Sequence, residues 1–283
     1  MAQTLEETKQ DQQVLDHLRE KVATACRILA QHTIVKGSMG HVSTRVPGTN
    51  DILVRGRPPV DRGLRFADPS CVIRVGPDAK PVGSTRGVKR VSEIYLHTEV
   101  YKRRPEVNAV IHAHAPWVRL CTINNIPLRP IYYEAPPYNM MMEGIPVYER
   151  SLTLHTLDET LPALDVMGDK NICLLSRHGV IVAGRSVEHV VSQMITLEDL
   201  ARNNWLAALQ GDLDDIPDED KAVFAKRAVA SADARARGLP DLLHPGGFDD
   251  GDGGGEREGL WEYYKALLDS GAMYVNDSGL GLR

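Results

Sequence analysis

The chain has 283 residues, of which 42% are apolar and 25% are charged, the proportions of an ordinary globular protein. Its formal charge of −5 disfavours a nucleic acid or an anionic membrane as a partner. No apolar run is long enough for a transmembrane helix, and the polar residues 1–12 do not resemble a signal peptide. We therefore expect a cytoplasmic protein with one large domain or two modest ones.

The first third of the chain is predicted to form a helix followed by three short strands. Residues 1–12 are expected to be a flexible tail, and apolar residues at helical spacing predict a helix over 13–31. Alternation of apolar and polar residues predicts strands over 41–46, 51–55 and 71–75.

Helices and strands are predicted to alternate in the middle of the chain. Ser92 is expected to cap a helix that carries Glu93 in its first turn. A buried strand is expected over 107–112. Two more strands are expected between 166 and 183, joined by a turn at Arg177-His178-Gly179.

The C-terminal third differs in character from the rest. Ser186 is expected to cap a long helix that Gly211 ends, and an acidic segment and a helix over 221–237 follow. Strands separated by helices predict an α/β domain over 13–210, with a helical extension over 211–283. The last helix of this extension is interpreted either as a lid over a site or as an arm that docks a second subunit.

The cysteines argue against a local redox or zinc-ribbon motif. Cys26, Cys71, Cys121 and Cys173 stand far apart, with no Cys-x-x-Cys pair among them. We expect them to be buried, reduced thiols.

The strongest chemical signal is His112-Ala113-His114. Residues i and i+2 of a strand point to the same face, so two imidazoles would face one cavity and suit zinc, manganese or iron. His178, before Gly179, and Glu93 would add a third nitrogen and a carboxylate. The alternatives are histidines satisfied by hydrogen bonds and a glutamate that stabilises a helix end.

Four segments together resemble the class II aldolase/adducin superfamily over about residues 15–210. They are Gly40-His41-Val42-Ser43-Thr44-Arg45, Ser92-Glu93 with its helix and Arg104-Pro105, Ala109-Val110-Ile111-His112-Ala113-His114, and Leu174-Leu175-Ser176-Arg177-His178-Gly179. The resemblance implies a three-layer α/β/α aldolase fold with a mostly antiparallel central sheet. It also implies a homo-oligomer, commonly a tetramer, with sites near subunit contacts.

The same resemblance implies one divalent metal per chain, zinc, manganese or iron. Its ligands would be His112, His114 and His178. Glu93 would be either the acid/base of the reaction or a fourth ligand that the substrate displaces.

The chain departs from the sugar-phosphate aldolases of this family at their phosphate-binding positions. Arg55-Gly56-Arg57 stands where those enzymes carry a Thr-Gly pair. Val91-Ser92-Glu93, preceded by Arg90, stands where they carry Ser-Ser-Glu. His41 replaces an asparagine. Because guanidinium groups match carboxylates bidentately, we expect a substrate with more than one carboxylate.

These departures favour the family's decarboxylases that act on hydroxy-aromatic dicarboxylates of benzene or pyridine. Glu93 is the first candidate for the acid that returns a proton to the ring. His41 and the adjacent Tyr132 and Tyr133, near the position of an aldolase catalytic tyrosine, are the others. The alternatives are a class II aldolase, epimerase or dehydratase acting on a hydroxylated carbonyl compound, and a non-catalytic adducin-like module.

Overall fold

A seven-stranded sheet forms the middle layer of the computed structural model, which describes residues 2–132, 144–223, 225–226, 230 and 255–271. The strands are β1 (His41–Arg45), β2 (Ile52–Arg55), β3 (Val72–Val75), β4 (Ala109–Ala113), β5 (Val147–Tyr148), β6 (Ile172–Leu175) and β7 (Gly179–Gly184). Their order is β3-β2-β1-β4-β7-β6-β5, and only the β5–β6 pair within this sheet is parallel. The predicted, mostly antiparallel central sheet is confirmed.

Helices cover both faces of this sheet, as the three-layer prediction requires. They are α1 (Ala2–Gln31), α2 (Tyr95–Arg103), α3 (Pro116–Ile123), α4 (Leu157–Met167), α5 (Val187–Ala208) and α6 (Gly255–Asp269). The face covered by α1, α3, α5 and α6 is called the α1 face below, and the face covered by α2 and α4 is called the α2 face.

Strand alternation decides which side chains reach each face. On β4, Ala109, Ile111 and Ala113 pack into the core of the α1 face, whereas Val110 packs into the core of the α2 face. His112 has the same parity as Val110, so it points to the α2 face. Because the sheet is covered on both sides, β6 and β7 read as continuous apolar runs in the sequence.

The first helix is longer than predicted. It begins at Ala2, whereas the sequence-based prediction starts it at residue 13 and treats residues 1–12 as a tail. Residues 2–12 contain Leu, Glu, Lys and Gln, which are good helix formers, so the helix continues beyond its periodic apolar segment.

The prediction for the start of α2 is wrong by two residues, because a helix capped by Ser92 would begin at residue 93. The helix begins at Tyr95, residues 92–94 form a turn, and Ser92 is exposed rather than capping the helix. The N–H of Leu96 bonds to the carbonyl of Glu93 at 3.2 Å, which is the tighter winding of a 3₁₀ turn. Glu93 therefore lies in a turn before the helix and not in its first turn.

Two elements before the last pair of strands were not predicted. The two-residue strand β5 is too short to show alternation. Helix α4 carries Pro162 in its interior, which the sequence signals disfavour. Thr156 and Glu159 form a reciprocal capping box that begins this helix. Residue 166, which the prediction assigns to a strand, lies within α4.

The last helix packs on the main core instead of standing apart from it. Trp261 and Tyr264 are each 8% exposed among the residues of the α1 face, and the side-chain amide of Gln31 donates to the carbonyl of Leu267 at 3.0 Å. This location on the α1 face does not suit a lid over residues of the α2 face. Tyr263 is 55% exposed and remains available to a partner.

Two further expectations concern the thiols and membranes. All four cysteines are buried and outside disulfides, as predicted. Within the described part of the chain, no helix combines the length and the apolar character needed to cross a membrane.

The close approach of β7 to β4 requires a glycine at position 179. A Cβ there would lie 2.3 Å from the carbonyl oxygen of Ala113 and 3.3 Å from the Cα of His114. We expect Gly179→Ala to lower the free energy of unfolding by about 3 kcal/mol, because backbone atoms must move. Denaturant unfolding measures this. Gly37→Ala is the control, since no atom lies within 4 Å of its Cβ and only the cost of its positive φ, about 1–2 kcal/mol, remains. Equal losses in the two variants would contradict the packing argument.

Candidate metal centre and active site

One carboxylate and three imidazoles meet on the α2 face of the sheet. Glu93, His112, His114 and His178, called the His/Glu cluster below, each offer one ligand atom, and these atoms all lie within 4.8 Å of one another. The Nε2 atoms of His114 and His178 are 3.2 Å apart. Glu93 Oε2 lies 3.3 Å from His112 Nε2, and Glu93 Oε1 lies 3.5 Å from His178 Nε2.

The antiparallel sheet and two turns bring these four residues together. His112 is on β4, and His114 follows the end of that strand. His178 stands in the turn between β6 and β7, directly after Arg177, whose φ is +59°. Glu93 is held from outside the sheet, because the backbone N–H of Leu154 donates to its Oε1 at 2.9 Å.

The protonation states suit ligands. Burial raises the pKa of Glu93, but the interactions with His112, the Leu154 N–H and His178 outweigh it and lower the pKa to about 2. Burial, followed by neighbouring charges, lowers the pKa values of His114 and His178 to about 4. At neutral pH the carboxylate is therefore ionised, and these two imidazoles keep a lone pair.

The donor set fits a divalent metal ion. The Nδ1 of His112 lies 3.1 Å from the carbonyl of Val180, so it carries the proton and leaves the lone pair on Nε2. That Nε2 atom is buried and makes no hydrogen bond within the described chain. A tetrahedral ion with bonds of about 2.1 Å has ligand atoms about 3.4 Å apart. The separations of 3.2, 3.3 and 3.5 Å agree with this value.

His41 lies beside the cluster and leads into a buried chain of polar side chains. It is directly opposite His112 in the β1–β4 register, and the two ring centroids are 5.1 Å apart. Its Nδ1 lies 2.6 Å from Nε2 of His97 on α2. Burial lowers the pKa of His41 well below its usual value, and the charges of His97, His112 and Arg57 add to the effect. The sequence analysis did not identify His97.

The predicted carboxylate-binding arginines do not come together. Arg55 has the parity of Leu53, which packs in the α1 face, so it points away from the cluster; it is 1% exposed and forms a salt bridge with Asp61. Arg90 donates to the carbonyl of Val91 and stacks over Tyr95. These contacts give Arg55 and Arg90 structural partners of their own.

Arg57 is the arginine of the predicted set that stays near the cluster. Its positive charge helps to lower the pKa of His41. Its backbone pairs with Lys89 through two hydrogen bonds of 2.7 and 2.8 Å. This pairing places Arg57 beside the segment that leads to Glu93. Its guanidinium is 3.9 Å from the carboxylate of Asp61 and is partly exposed.

A second arginine near the cluster, Arg119, was not predicted. It lies on α3, which begins directly after His114, and its i+3 neighbour Thr122 accepts a hydrogen bond from the N–H of Arg177 at 3.0 Å. Positions i and i+3 share one helix face, so Arg119 faces the turn that carries His178. Its Nε is buried without a hydrogen-bond partner among the described residues. The prediction missed it because α3 has only eight residues and follows a strand directly.

The remaining predicted residues are less informative. Ser92 is exposed in the turn before α2, and Tyr132 is partly buried near the end of a described segment. Tyr133 lies outside the described residues.

Comparison with known proteins gives the family. The model described as Class II Aldolase and Adducin N-terminal domain matches residues 20–205. The chain belongs to the class II aldolase family. The resemblance inferred from its motifs is thereby confirmed.

Three curated relatives with 32–37% identity are named 3,4-dihydroxyphthalate decarboxylase. The chain is 37% identical over 210 residues to 3,4-dihydroxyphthalate decarboxylase of Arthrobacter keyseri, covering 72% of this chain and 84% of that protein. A protein of the same name from Rhodococcus jostii is 32% identical over 212 residues, covering 73% and 87%.

A solved structure shows the same fold over a larger part of the chain. The crystal structure of an aldolase II superfamily protein from Pseudomonas syringae has a TM-score of 0.73 at 21% identity, covering 92% of this chain and 95% of that one. The class II aldolase fold and the His/Glu cluster together support one divalent metal site.

Removing one imidazole tests the metal site directly. Loss of a residue that only hydrogen-bonds a metal ligand lowers metal affinity about 10- to 100-fold. We expect His114→Ala to lower zinc affinity by more than this, because the substitution removes a direct ligand. Elemental analysis after equilibration with zinc and desalting measures the occupancy. His17→Ala, on the exposed side of α1, is the control and keeps the wild-type content. Full zinc content in His114→Ala would remove this residue from the ligand set.

Proposed function

We propose that this protein is a divalent-metal-dependent enzyme that decarboxylates a hydroxy-aromatic dicarboxylate without oxidation. The observation that carries the proposal is the combination of the His/Glu cluster with two arginines beside it, Arg57 and Arg119. Relatives of 37% and 32% identity that are named 3,4-dihydroxyphthalate decarboxylase support the reaction and the substrate class. Such an enzyme is a lyase.

The substrate would be held by both parts of this site. When bound, the metal ion would act as a Lewis acid toward the ring hydroxyl and the neighbouring carboxylate. Arg57 and Arg119 would bind carboxylate oxygens by charge-assisted hydrogen bonds, which are stronger than hydrogen bonds between neutral groups. Two cations, Arg57 near His41 and Arg119 near His114 and His178, suit a ring with two carboxylates.

The reaction breaks one carbon–carbon bond and forms one carbon–hydrogen bond. A proton first bonds to the ring carbon that bears the carboxylate, while the hydroxyl oxygen loses its proton and becomes a carbonyl oxygen. The carbon–carbon bond then breaks, its electron pair restores the aromatic ring and the charge returns to that oxygen as carbon dioxide leaves, so atoms and charge balance without an oxidant or a reductant.

Glu93 fits a ligand or base better than the proton donor that the sequence analysis favoured. Its pKa of about 2 keeps the carboxylate ionised at neutral pH. A general acid requires a raised pKa, and burial lowers the pKa of His41 as well, so the proton of the product would come from water. Tyr132 and Tyr133 stay alternative donors.

Other parts of the prediction remain proposals. These are the identity of the metal as zinc, manganese or iron, a homotetramer with sites near subunit contacts, and a location in the cytoplasm. The acidic net charge continues to disfavour nucleic acid and membrane partners.

A product assay tests the proposed function. The zinc-, manganese- and iron(II)-loaded protein is incubated with 3,4-dihydroxyphthalate, with a hydroxypyridine dicarboxylate, and with hydroxylated keto acids. Release of carbon dioxide with a ring-retained product from an aromatic dicarboxylate is expected. An aldehyde from the keto acids alone would indicate the aldolase alternative, and no metal binding would indicate an adducin-like module.

Arg119 is expected to act mainly in substrate binding. We expect Arg119→Gln to raise KM for the dicarboxylate at least about tenfold, because hydrogen bonds to charged groups contribute about 1.5–3 kcal/mol. Steady-state kinetics and metal analysis measure this, and the metal content should not change. Arg86→Gln, in an exposed loop, is the matched control. An unchanged KM in Arg119→Gln would exclude it as a carboxylate anchor.

A further inference from the structure

Behind the His/Glu cluster, four buried side chains form a continuous chain of hydrogen bonds. His41 Nδ1 lies 2.6 Å from His97 Nε2, His97 Nδ1 lies 2.6 Å from Ser43 Oγ, and Ser43 Oγ lies 2.9 Å from the hydroxyl of Tyr101. Their exposed fractions are 4% or less. Polar groups at such depth must satisfy one another, since water does not reach them.

Two periodicities place these residues together. His41 and Ser43 share the α2 face of β1, and His97 and Tyr101 are one helical turn apart on α2. The strand and the helix therefore face each other across two pairs of polar residues. The sequence signal was the i, i+4, i+8 spacing of Glu93, His97 and Tyr101.

The hydroxyl end fixes the direction of the chain. Either hydroxyl can donate in the contact between Ser43 and Tyr101. Because Ser43 Oγ is the acceptor for the Tyr101 hydroxyl among the described residues, the direction that satisfies every buried proton has Tyr101 donating to Ser43. Ser43 then donates its own proton to Nδ1 of His97. His97, with Nδ1 as an acceptor, carries its proton on Nε2 and donates it to Nδ1 of His41.

The ring nitrogen of His41 that carries the proton follows in the same way. A neutral imidazole whose Nδ1 accepts a hydrogen bond carries its proton on Nε2. The opposite direction would leave one hydroxyl proton buried without an acceptor, which costs about 1–3 kcal/mol. Nε2 is therefore the nitrogen of His41 that can contact a molecule bound at the neighbouring His/Glu cluster. The ring centroids of His41 and His112 are 5.1 Å apart.

We propose that His41 is a fixed hydrogen-bond donor to a carboxylate oxygen of the substrate, and that His97, Ser43 and Tyr101 are positioning residues that hold its proton on Nε2. The role toward a carboxylate rests on the proposed decarboxylation. The direction of the chain does not, because it follows from the contacts among the four side chains.

Histidine tautomers give the first part of the test. The full-length protein is loaded with zinc and labelled with ¹⁵N-histidine, and the His41 signals are assigned by their loss in His41→Gln. We expect His41 and His97 both to be protonated on Nε2 and not on Nδ1. A proton on Nδ1 of His41 would overturn the proposal. This readout needs no substrate, so it is separate from a failure of the proposed function.

Two substitutions of His97 give the second part. Glutamine keeps an amide donor toward His41, whereas leucine keeps the volume and removes the donor. We expect His97→Leu to lower kcat/KM for the dicarboxylate at least about tenfold with metal content unchanged, and His97→Gln to recover most of this loss.

His32→Leu is the matched control, because it replaces another buried histidine that packs against Tyr264 on the α1 face. Its kcat/KM should stay at the wild-type value. Equal losses in His97→Leu and His97→Gln would overturn the positioning role. If no dicarboxylate is turned over although His41 carries its proton on Nε2, the proposed function fails and the direction of the chain stands.

Discussion

The pairing of β4 between β1 and β7 is the constraint on which the rest of the site depends. One register places His41 opposite His112, and the other brings the start of β7 against Ala113. With this pairing fixed, His112 and His114 share the α2 face, and His178 reaches them from the β6–β7 turn. A slip of β4 by one residue would send His112 and His114 to the other face.

Burial then gives the cluster its chemical character. Imidazoles that are removed from water stay neutral, and neutral imidazoles are ligands. Glu93 stays ionised in the same surroundings because the Leu154 N–H and two histidines offset the cost of burying its charge. The outer contacts, such as Val180 to His112, orient the lone pairs toward one point. The fold thus supplies a preorganised donor set without requiring movement on binding.

Local pattern predicted the fold class and the residues of the cluster, because both depend on short-range periodicity. His-x-His on a buried strand and a histidine before a glycine turn are visible in the sequence. The face of the sheet toward which Arg55 points is not visible in the sequence, because it depends on how β2 pairs with β1. Arg119 and His97 were missed for a similar reason: each acts across a tertiary contact that the chain makes only after folding. The first turn of α2 was misjudged because Ser-Glu favours a helix start, whereas the structure uses this pair to turn Glu93 inward.

In the proposed reaction the metal ion is indispensable to breaking the carbon–carbon bond, and the arginines select the substrate. A titration tests this most directly. Metal-stripped protein receives increasing amounts of a divalent cation while carbon dioxide release from 3,4-dihydroxyphthalate is followed. We expect no release at the start, then a linear rise, and a break at one equivalent of metal per chain. Release from the stripped protein, or the absence of release at full occupancy by zinc, manganese or iron(II), would contradict it.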